Sequence, residues 1–268
     1  MKPLDYFAMN PVFRREDFEH AHTEGRTLAA DTSQTVLKQH VRSGNLLHLR
    51  RGLYAVVPRG QTPETVAVDP YLLASRMTAD AVLACHTALQ LHGRSYSISR
   101  RFSYLTRSRP TRFEFRGAEF VPLQVPKALR TLDDMGGGIQ TQIRAGTAVR
   151  VTTLERTFVD VLHTPSRAGG WEEIWRSLES VEYFDLEAVI EYTLKLQSAV
   201  TAARVGFFLE QHREQLMVED ISLGRLERQA PGSPSSMDRR REERGRFFPR
   251  WNLVVPQSIA DRAWEEGT

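Results

Sequence analysis

The side chains best suited to chemistry in this sequence are hydrogen-bond donors that recur at helical spacing between residues 32 and 44. At 100° of rotation per residue, one face of the predicted helix carries Val36, Leu37, His40 and Val41 beside Ser33. The opposite face carries Gln34, Thr35, Lys38, Gln39 and Arg42. Amide, hydroxyl, ammonium and guanidinium groups can donate to base edges and phosphate oxygens of DNA. This face therefore predicts a DNA-recognition helix, and the alternative is an amphipathic helix whose polar face contacts only water.

The ends of this helix and the segment before it agree with that interpretation. Thr32 and Ser33 favour a helix N-terminus, and Gly44 favours the left-handed conformation that ends a helix. Residues 14–22 predict a first helix after a short lead-in, and residues 23–31 predict the turn between the two helices.

A basic hairpin follows the predicted recognition helix. Two β-prone runs, 46–50 and 53–57, are joined through Arg51-Gly52 and stopped by Pro58. The basic side chains at the hairpin tip are His48, Arg50 and Arg51. In a winged helix-turn-helix, such a tip approaches the phosphates or the minor groove beside the base-reading helix. Two short helices and a basic hairpin within about fifty residues predict that motif, and with it DNA as a partner.

The net charge of +3 conceals a strong segregation of charge along the chain. Residues 94–150 contain eleven Lys and Arg against four Asp and Glu, whereas residues 151–268 contain fifteen against twenty. A cationic segment followed by an acidic one predicts a polyanionic partner at one end and a different partner at the other. The arginines of the cationic segment form a candidate second DNA-contacting patch. They are Arg100, Arg101, Arg107, Arg109 and Arg112.

Turn residues and composition predict two domains. Residues 1–60 form the predicted DNA-binding domain, and residues 61–268 form a second domain. The second domain divides into a basic α+β part, 61–151, and a mainly helical acidic part, 152–268. The predicted fold class is therefore α+β, with an N-terminal winged helix-turn-helix, then a mixed α/β domain and a mostly helical C-terminal part.

Local patterns place the main elements of the second domain. Asp69-Pro70 predicts a helix start, and β-prone runs between residues 102 and 151 predict several strands. Three helical stretches begin at Trp171. Residues 229–246 are rich in Pro, Gly, Ser and Arg and predict a loop, while residues 251–256 predict a strand.

A second polar motif begins at Thr152. The sequence Thr152-Thr153-Leu154-Glu155 matches a capping box, in which Glu155 bonds back to the capping residue. Arg156 and Asp160 are four residues apart, which predicts an ion pair on one helix face. Glu155 and Asp160 are also the nearest approach to the acidic ligands of a nuclease, but their spacing suits capping and ion pairing better.

No catalytic constellation stands out. There is no glycine-rich phosphate loop followed by Lys and Ser or Thr, no HExxH and no CxxC. The eight histidines show no metal-ligand spacing, and Cys85 lies in an apolar run that predicts a buried, inert thiol. The sequence predicts a protein that is not an enzyme and uses no metal or cofactor. A lone cysteine, no signal peptide and no apolar span predict a cytoplasmic location without a membrane partner.

Seven segments, in consistent order, resemble the AbiEi family of antitoxins and transcriptional regulators from type IV abortive-infection toxin–antitoxin systems. The segments are FRREDF (13–18), HVRSGNLLHLRRGLYAVVP (40–58), DPYLLASR (69–76), HTALQLHG (86–93), VTTLERTFVD (151–160), GGWEE (169–173) and WNLVVP (251–256). The more specific pieces are the Arg-Arg-Gly-Leu-Tyr core of the hairpin and the T-L-E-R-T-x-x-D helix.

The resemblance implies a protein with two functions. The N-terminal domain would bind double-stranded operator DNA and repress its own operon, and the C-terminal part would neutralise a nucleotidyltransferase toxin. In type IV systems the antitoxin opposes the toxin without a stable complex, which leaves direct contact, substrate competition and covalent modification as alternatives. The resemblance assigns no role in neutralisation to Glu155, Arg156 or Asp160, and it does not give the oligomeric state.

Two other functions stay open at the level of sequence. One is a plain winged-helix transcriptional regulator whose C-terminal domain only dimerises or senses a ligand. The other is a DNA-processing enzyme with a degenerate site in the middle region.

Overall fold

The computed structural model describes residues 2–21, 30–238 and 244–262, which form a mixed α/β fold in two compact units. The first unit comprises Met1–Leu83, Arg100–Pro122 and Thr141–Arg150, and the second comprises Ala84–Ser99, Leu123–Gln140 and Val151–Thr268. The described part of residues 1–60 lies in the first unit, and the predicted domain division at residue 60 stays a prediction.

The first unit begins with three helices and three strands. They are α1 (Pro3–Met9), β1 (Val12–Arg14), α2 (Arg15–Ala21), α3 (Ala30–Arg42), β2 (Leu46–Arg50) and β3 (Leu53–Val56). The strands form an antiparallel sheet in the order β1-β3-β2. The predicted hairpin is therefore confirmed, and Gly52 in its turn has a φ of +72°, which favours glycine.

An aromatic cluster forms the core of these elements. Tyr6, Phe7, Phe13, Phe18 and Tyr54 are buried with Leu37 and Leu46. The Tyr6 ring lies edge-on to Phe13 and Phe18, with centroid distances of 5.3 and 5.2 Å. The prediction of a mere lead-in over residues 1–13 is wrong, because α1 buries two aromatic rings and β1 pairs with β3.

The start of α3 differs from its prediction, whereas its end agrees. The described part of the helix starts at Ala30, ahead of Thr32 and Ser33, so these two residues are not its caps. Ser33 is fully buried within the helix. The predicted turn at residues 23–31 lies mostly outside the described residues. Gly44 has a φ of +73°, and the Asn45 amide donates to the His40 carbonyl at 3.0 Å, which ends the helix as expected.

A six-stranded sheet lies mostly in the first unit, and helix α4 (Pro70–Ser75) precedes it in the chain. The strands are β4 (Val82–Leu83), β5 (Arg101–Thr106), β6 (Phe113–Phe115), β7 (Ala118–Gln124), β8 (Ile139–Arg144) and β9 (Thr147–Thr152), in the order β6-β7-β5-β4-β9-β8. The predicted strands between residues 102 and 151 are confirmed. The Asp69 carboxylate caps α4 as expected, accepting from the Tyr71 and Leu72 amides at 2.8 and 3.2 Å.

The second unit is mainly helical. It contains α5 (His86–Leu91), α6 (Leu154–His163), α7 (Trp171–Glu179), α8 (Leu186–Lys195), α9 (Ala199–Gln211), α10 (Asp220–Glu227), β10 (Ser235–Ser236), β11 (Gly245–Phe248), β12 (Leu253–Pro256) and α11 (Gln257–Ala260). The three helices predicted after Trp171 and the strand near the C-terminus are confirmed. Among the residues that the structure describes, no helix has both the length and the apolar character needed to cross a membrane.

The loop predicted for residues 229–246 is partly wrong. Strands β10 and β11 flank β12 in a three-stranded sheet, β10 parallel to it and β11 antiparallel. Residues 239–243 of the predicted loop lie outside the described residues. Strand β10 has a polar sequence that does not predict a strand. It is stabilised by pairing with the apolar strand β12.

One close approach in the second unit explains a glycine inside a helix. A Cβ added at Gly206 of α9 would overlap the indole ring of Trp251. That ring is fully buried, and its Nε1 donates to the Glu210 carboxylate at 2.7 Å. The contact outweighs the usual preference for alanine over glycine in a helix.

We expect Gly206→Ala to lower the free energy of unfolding by about 1–3 kcal/mol, because the methyl group must displace Trp251. The matched control is Gly224→Ala in α10, where an added Cβ meets no atom within 4 Å. That variant should gain about 0.5–1 kcal/mol from reduced backbone entropy. Urea unfolding followed by tryptophan fluorescence measures both, and equal effects would contradict the packing assignment.

Candidate nucleic-acid interface

The polar face of α3 and the β2–β3 hairpin line one open cleft of about 570 Å³. Five of the residues predicted to bind DNA meet there: Gln34, Lys38, Arg42, His48 and Arg51. Two of the helical residues predicted to bind DNA, Thr35 and Gln39, are exposed on α3 but do not line the cleft. The structure thus brings donors of α3 and of the hairpin together at one cleft.

The burial pattern of α3 separates its two faces. Gln34, Lys38 and Arg42 are exposed, whereas Leu37 is fully buried in the aromatic cluster. His40 belongs to the inner side, where its ring lies edge-on to Phe7 with centroids 5.0 Å apart. Burial lowers the pKa of His40, so the imidazole is neutral at pH 7. The cationic groups of α3 near the cleft are therefore Lys38 and Arg42.

The hairpin directs its basic side chains to different places. The His48 ring lies near Tyr54, with centroids 5.2 Å apart, and both residues line the cleft. The register of β2 against β3 shifts between His48 and Arg50. The Arg50 guanidinium lies 5.8 Å from the centroid of the Phe113 ring and does not line the cleft. A bulge of this kind changes the direction in which side chains point. The usual alternation of side chains between the two faces of a strand therefore does not predict the position of Arg50.

Arg15 is a cleft residue that the sequence analysis missed. It is the first residue of α2, it lines the cleft, and its Nε lies 3.3 Å from the Glu19 carboxylate. The signal was present in the Arg14-Arg15 pair that opens the predicted first helix. Sequence alone does not show that the start of α2 lies beside α3 and the hairpin.

The candidate second patch is not uniform. Arg101 and Arg112 both contact the Glu119 carboxylate, at 2.7 and 3.4 Å, which offsets part of their charge. Arg100 donates to the carbonyl of Arg116 at 2.9 Å. Arg107 and Arg109 are exposed in the segment that follows β5. The five arginines therefore have different electrostatic settings.

Arg156 and Asp160 form a buried network in the second unit. Arg156 Nε lies 3.3 Å from the Asp160 carboxylate, which also accepts from the Tyr192 hydroxyl at 2.8 Å. Arg156 Nη1 donates to the carbonyls of Met135 and Gly137 at 3.1 and 2.5 Å. The predicted ion pair is confirmed, and both partners are buried. The pair is therefore part of the core, and Arg156 ties α6 to the loop that contains Met135 and Gly137.

The predicted capping box is wrong by one residue. Thr152 ends β9, and the hydroxyl of Thr153 accepts from the Arg156 amide at 3.3 Å, so Thr153 caps α6. Glu155 does not bond back to the cap, and its carboxylate accepts from the Asp185 amide at 3.5 Å. A residue pattern with two adjacent threonines could not specify which of them is the cap.

Groups suited to metal or thiol chemistry do not gather in the described parts of the chain. No cluster of three or more His, Cys, Asp or Glu side chains that could hold a metal ion occurs among the described residues. Cys85 is buried, and burial raises the pKa of its thiol. The thiol is therefore protonated at neutral pH and unsuited to nucleophilic chemistry.

Comparison with known proteins gives a likeness in fold. No protein-family model matches the chain, and no curated protein sequence matches it. A crystal structure of the RV2827C protein from Mycobacterium tuberculosis is similar, with a TM-score of 0.57 and 17% sequence identity. The match covers 99% of this chain and 93% of that chain. At this identity the likeness concerns the fold alone.

We expect Asp160→Ala to lower the free energy of unfolding by about 3–5 kcal/mol, because it leaves the Arg156 guanidinium buried without its counter-ion. The matched control is Glu172→Ala, which removes another i,i+4 pair, that of Glu172 and Arg176 in α7, whose carboxylate is 52% exposed. The control should cost less than about 1 kcal/mol. Chemical denaturation followed by circular dichroism compares them, and a small loss for Asp160→Ala would refute the structural role.

Proposed function

We propose that this protein binds double-stranded DNA through a winged helix-turn-helix made of α2, α3 and the β2–β3 hairpin. The observation that carries the proposal is the cleft at which donors of α3 meet His48 and Arg51 of the hairpin. A helix with exposed donors fits the major groove, and a hairpin beside it can contact the flanking backbone or the minor groove.

The proposed roles follow from position. Gln34, Thr35, Lys38, Gln39 and Arg42 face the major groove. His48 and Arg51 contact phosphates or the minor groove beside it, and Arg15 adds a cation at the start of α2. Phosphate contacts fix the register of the protein on the duplex, whereas contacts to base edges select the sequence.

We expect Lys38→Ala and Arg51→Ala each to weaken binding to a duplex from the upstream region of the protein's own gene. The loss per variant should be roughly 1–3 kcal/mol, or about 5- to 150-fold in Kd. Lys195→Ala is the matched control, since Lys195 is an exposed lysine in the last turn of α8 in the other unit. Fluorescence anisotropy at a fixed salt concentration measures the three variants.

The salt dependence of Kd is a second measurement on the same variants, and it reports the number of phosphate contacts. Each lost phosphate contact should reduce the slope of log Kd against log salt by about 0.9. Unchanged affinity in both Lys38→Ala and Arg51→Ala would remove the winged helix-turn-helix assignment. An equal loss in Lys195→Ala would show that only the overall charge matters.

We also propose that the DNA-binding protein is an antitoxin of the AbiEi type, which represses its operon and neutralises a nucleotidyltransferase toxin. What supports this is the set of seven matching segments in the sequence. Two residues of the T-L-E-R-T-x-x-D segment, Arg156 and Asp160, form a buried network. That part of the resemblance therefore concerns the fold of the second unit, and neutralisation is assigned to the exposed surface of that unit.

We expect co-expression of this chain to restore growth to cells that express the protein encoded by the adjacent reading frame. The Lys38→Ala variant, placed under an unrelated promoter, should restore growth equally, because neutralisation does not require operator binding. Colony counts on inducing medium measure both. An adjacent frame without a toxic nucleotidyltransferase, or toxicity that persists with the full chain, would leave the plain transcriptional regulator as the better account.

A further inference from the structure

A second cavity of about 650 Å³ lies in the first unit and shares Arg51 and Gly52 of the hairpin turn with the cleft. Five arginines line it, together with two carboxylates, Glu16 and Asp80. The arginines, which define the arginine pocket, are Arg14, Arg50, Arg51, Arg76 and Arg107. They come from β1, the hairpin, the end of α4 and the segment after β5.

The two carboxylates of the pocket have local partners. The Arg14 guanidinium lies 2.5 Å from the Glu16 carboxylate. Asp80 accepts from the Thr106 hydroxyl at 2.6 Å and from the Arg107 amide at 2.7 Å. Burial alone would raise the pKa of Asp80, but these hydrogen bonds outweigh burial and lower the pKa below its usual value. The carboxyl therefore stays ionised. With five guanidiniums against two carboxylates, the lining keeps a positive excess.

Some of the pocket arginines are held in place by neighbouring groups. Arg50 lies over the Phe113 ring at 5.8 Å, and Arg76 Nη2 is 3.4 Å from the carbonyl of Ala148. A guanidinium that is already positioned loses less conformational entropy when it binds an anion. Planar guanidinium groups match the oxygens of phosphate better than they match a single halide ion.

We propose that the arginine pocket binds a phosphate group. Arg51 and Gly52 line both this pocket and the cleft, so a backbone phosphate of a bound duplex could enter it. In that case the inference rests on the proposed function. A phosphate of a free nucleotide presents the same chemistry and does not need the proposed function.

The pocket distinguishes arginines that composition treats alike. Arg107 and Arg109 are two residues apart, both are exposed, and both belong to the cationic segment. Only Arg107 lines the pocket. Arg76 lies outside the cationic segment, yet it lines the same cavity. A general effect of surface charge would not separate Arg107 from Arg109, whereas a defined phosphate site must.

The test compares Arg107→Gln and Arg76→Gln with the matched control Arg109→Gln, each in the full chain. One arm titrates inorganic pyrophosphate by calorimetry, and the other measures duplex binding against salt. If the pocket holds a phosphate, the two pocket variants should lose about tenfold in affinity for at least one probe, as expected for one charge-assisted contact. In the pyrophosphate arm the control should stay within about twofold of the parent chain. In the duplex arm it should lose less affinity than the pocket variants, because Arg109 does not line the pocket.

The two arms separate the sources of the phosphate. A loss confined to the duplex arm, with the salt slope lower by about 0.9, assigns the pocket to backbone phosphate. A loss in the pyrophosphate arm assigns it to a small phosphorylated ligand. Equal effects of Arg107→Gln and Arg109→Gln, or no effect of either pocket variant in both arms, would overturn the inference. Lys38→Ala, measured in parallel, reports separately on the proposed function, since Lys38 does not line the pocket.

Discussion

The aromatic cluster at the N-terminus is the constraint on which the candidate interface depends. Helix α3 has thirteen residues, and a helix of that length is marginal in water by itself. A two-stranded hairpin alone is marginal too. Tyr6, Phe7, Phe13, Phe18 and Tyr54 bury the inner side of α3 against the hairpin and β1. Because each ring contacts others from a different element, the cluster holds the donors of both elements around one cleft.

A buried polar network holds elements of the second unit together. Arg156 joins α6 to the loop at Met135 and Gly137, and Asp160 joins α6 to Tyr192 of α8. A Cβ at Gly138 would lie 3.0 Å from Arg156 Cβ, so that loop needs glycine beside the arginine. The most distinctive motif of the C-terminal half is therefore explained by the fold.

The sequence predicted what depends on periodicity and on local backbone preference. The two faces of α3, the hairpin turn at Gly52 and the cap at Asp69 all follow from residues close together in the chain. Elements that depend on packing between segments distant in the chain could not be predicted from local sequence. Ser33 lies inside a helix that starts earlier than its cap signal, and α1 forms because two of its rings complete a core made by later residues.

Side-chain destinations in the candidate site were the hardest to predict. The Arg50 side chain lies outside the cleft, near the Phe113 ring, and the register of the hairpin shifts just before it. No pattern in residues 46–53 indicates this shift. The arginine pocket draws on Arg14, Arg76 and Arg107, which are separated by whole elements along the chain. Segregated charge predicted a polyanionic partner, but only tertiary structure shows which cations share one cavity.

Hydrogen–deuterium exchange of the full chain, with and without a duplex from its own upstream region, tests DNA binding by α3 and the hairpin most directly. If α3 and the hairpin bind DNA, the backbone amides of residues 33–42 and 46–53 should exchange more slowly when the duplex is bound, while those of α9 are unchanged. A scrambled duplex at the same salt concentration serves as the control for non-specific binding. Unchanged exchange in α3 and the hairpin, under conditions where the duplex is bound, would contradict the central claim.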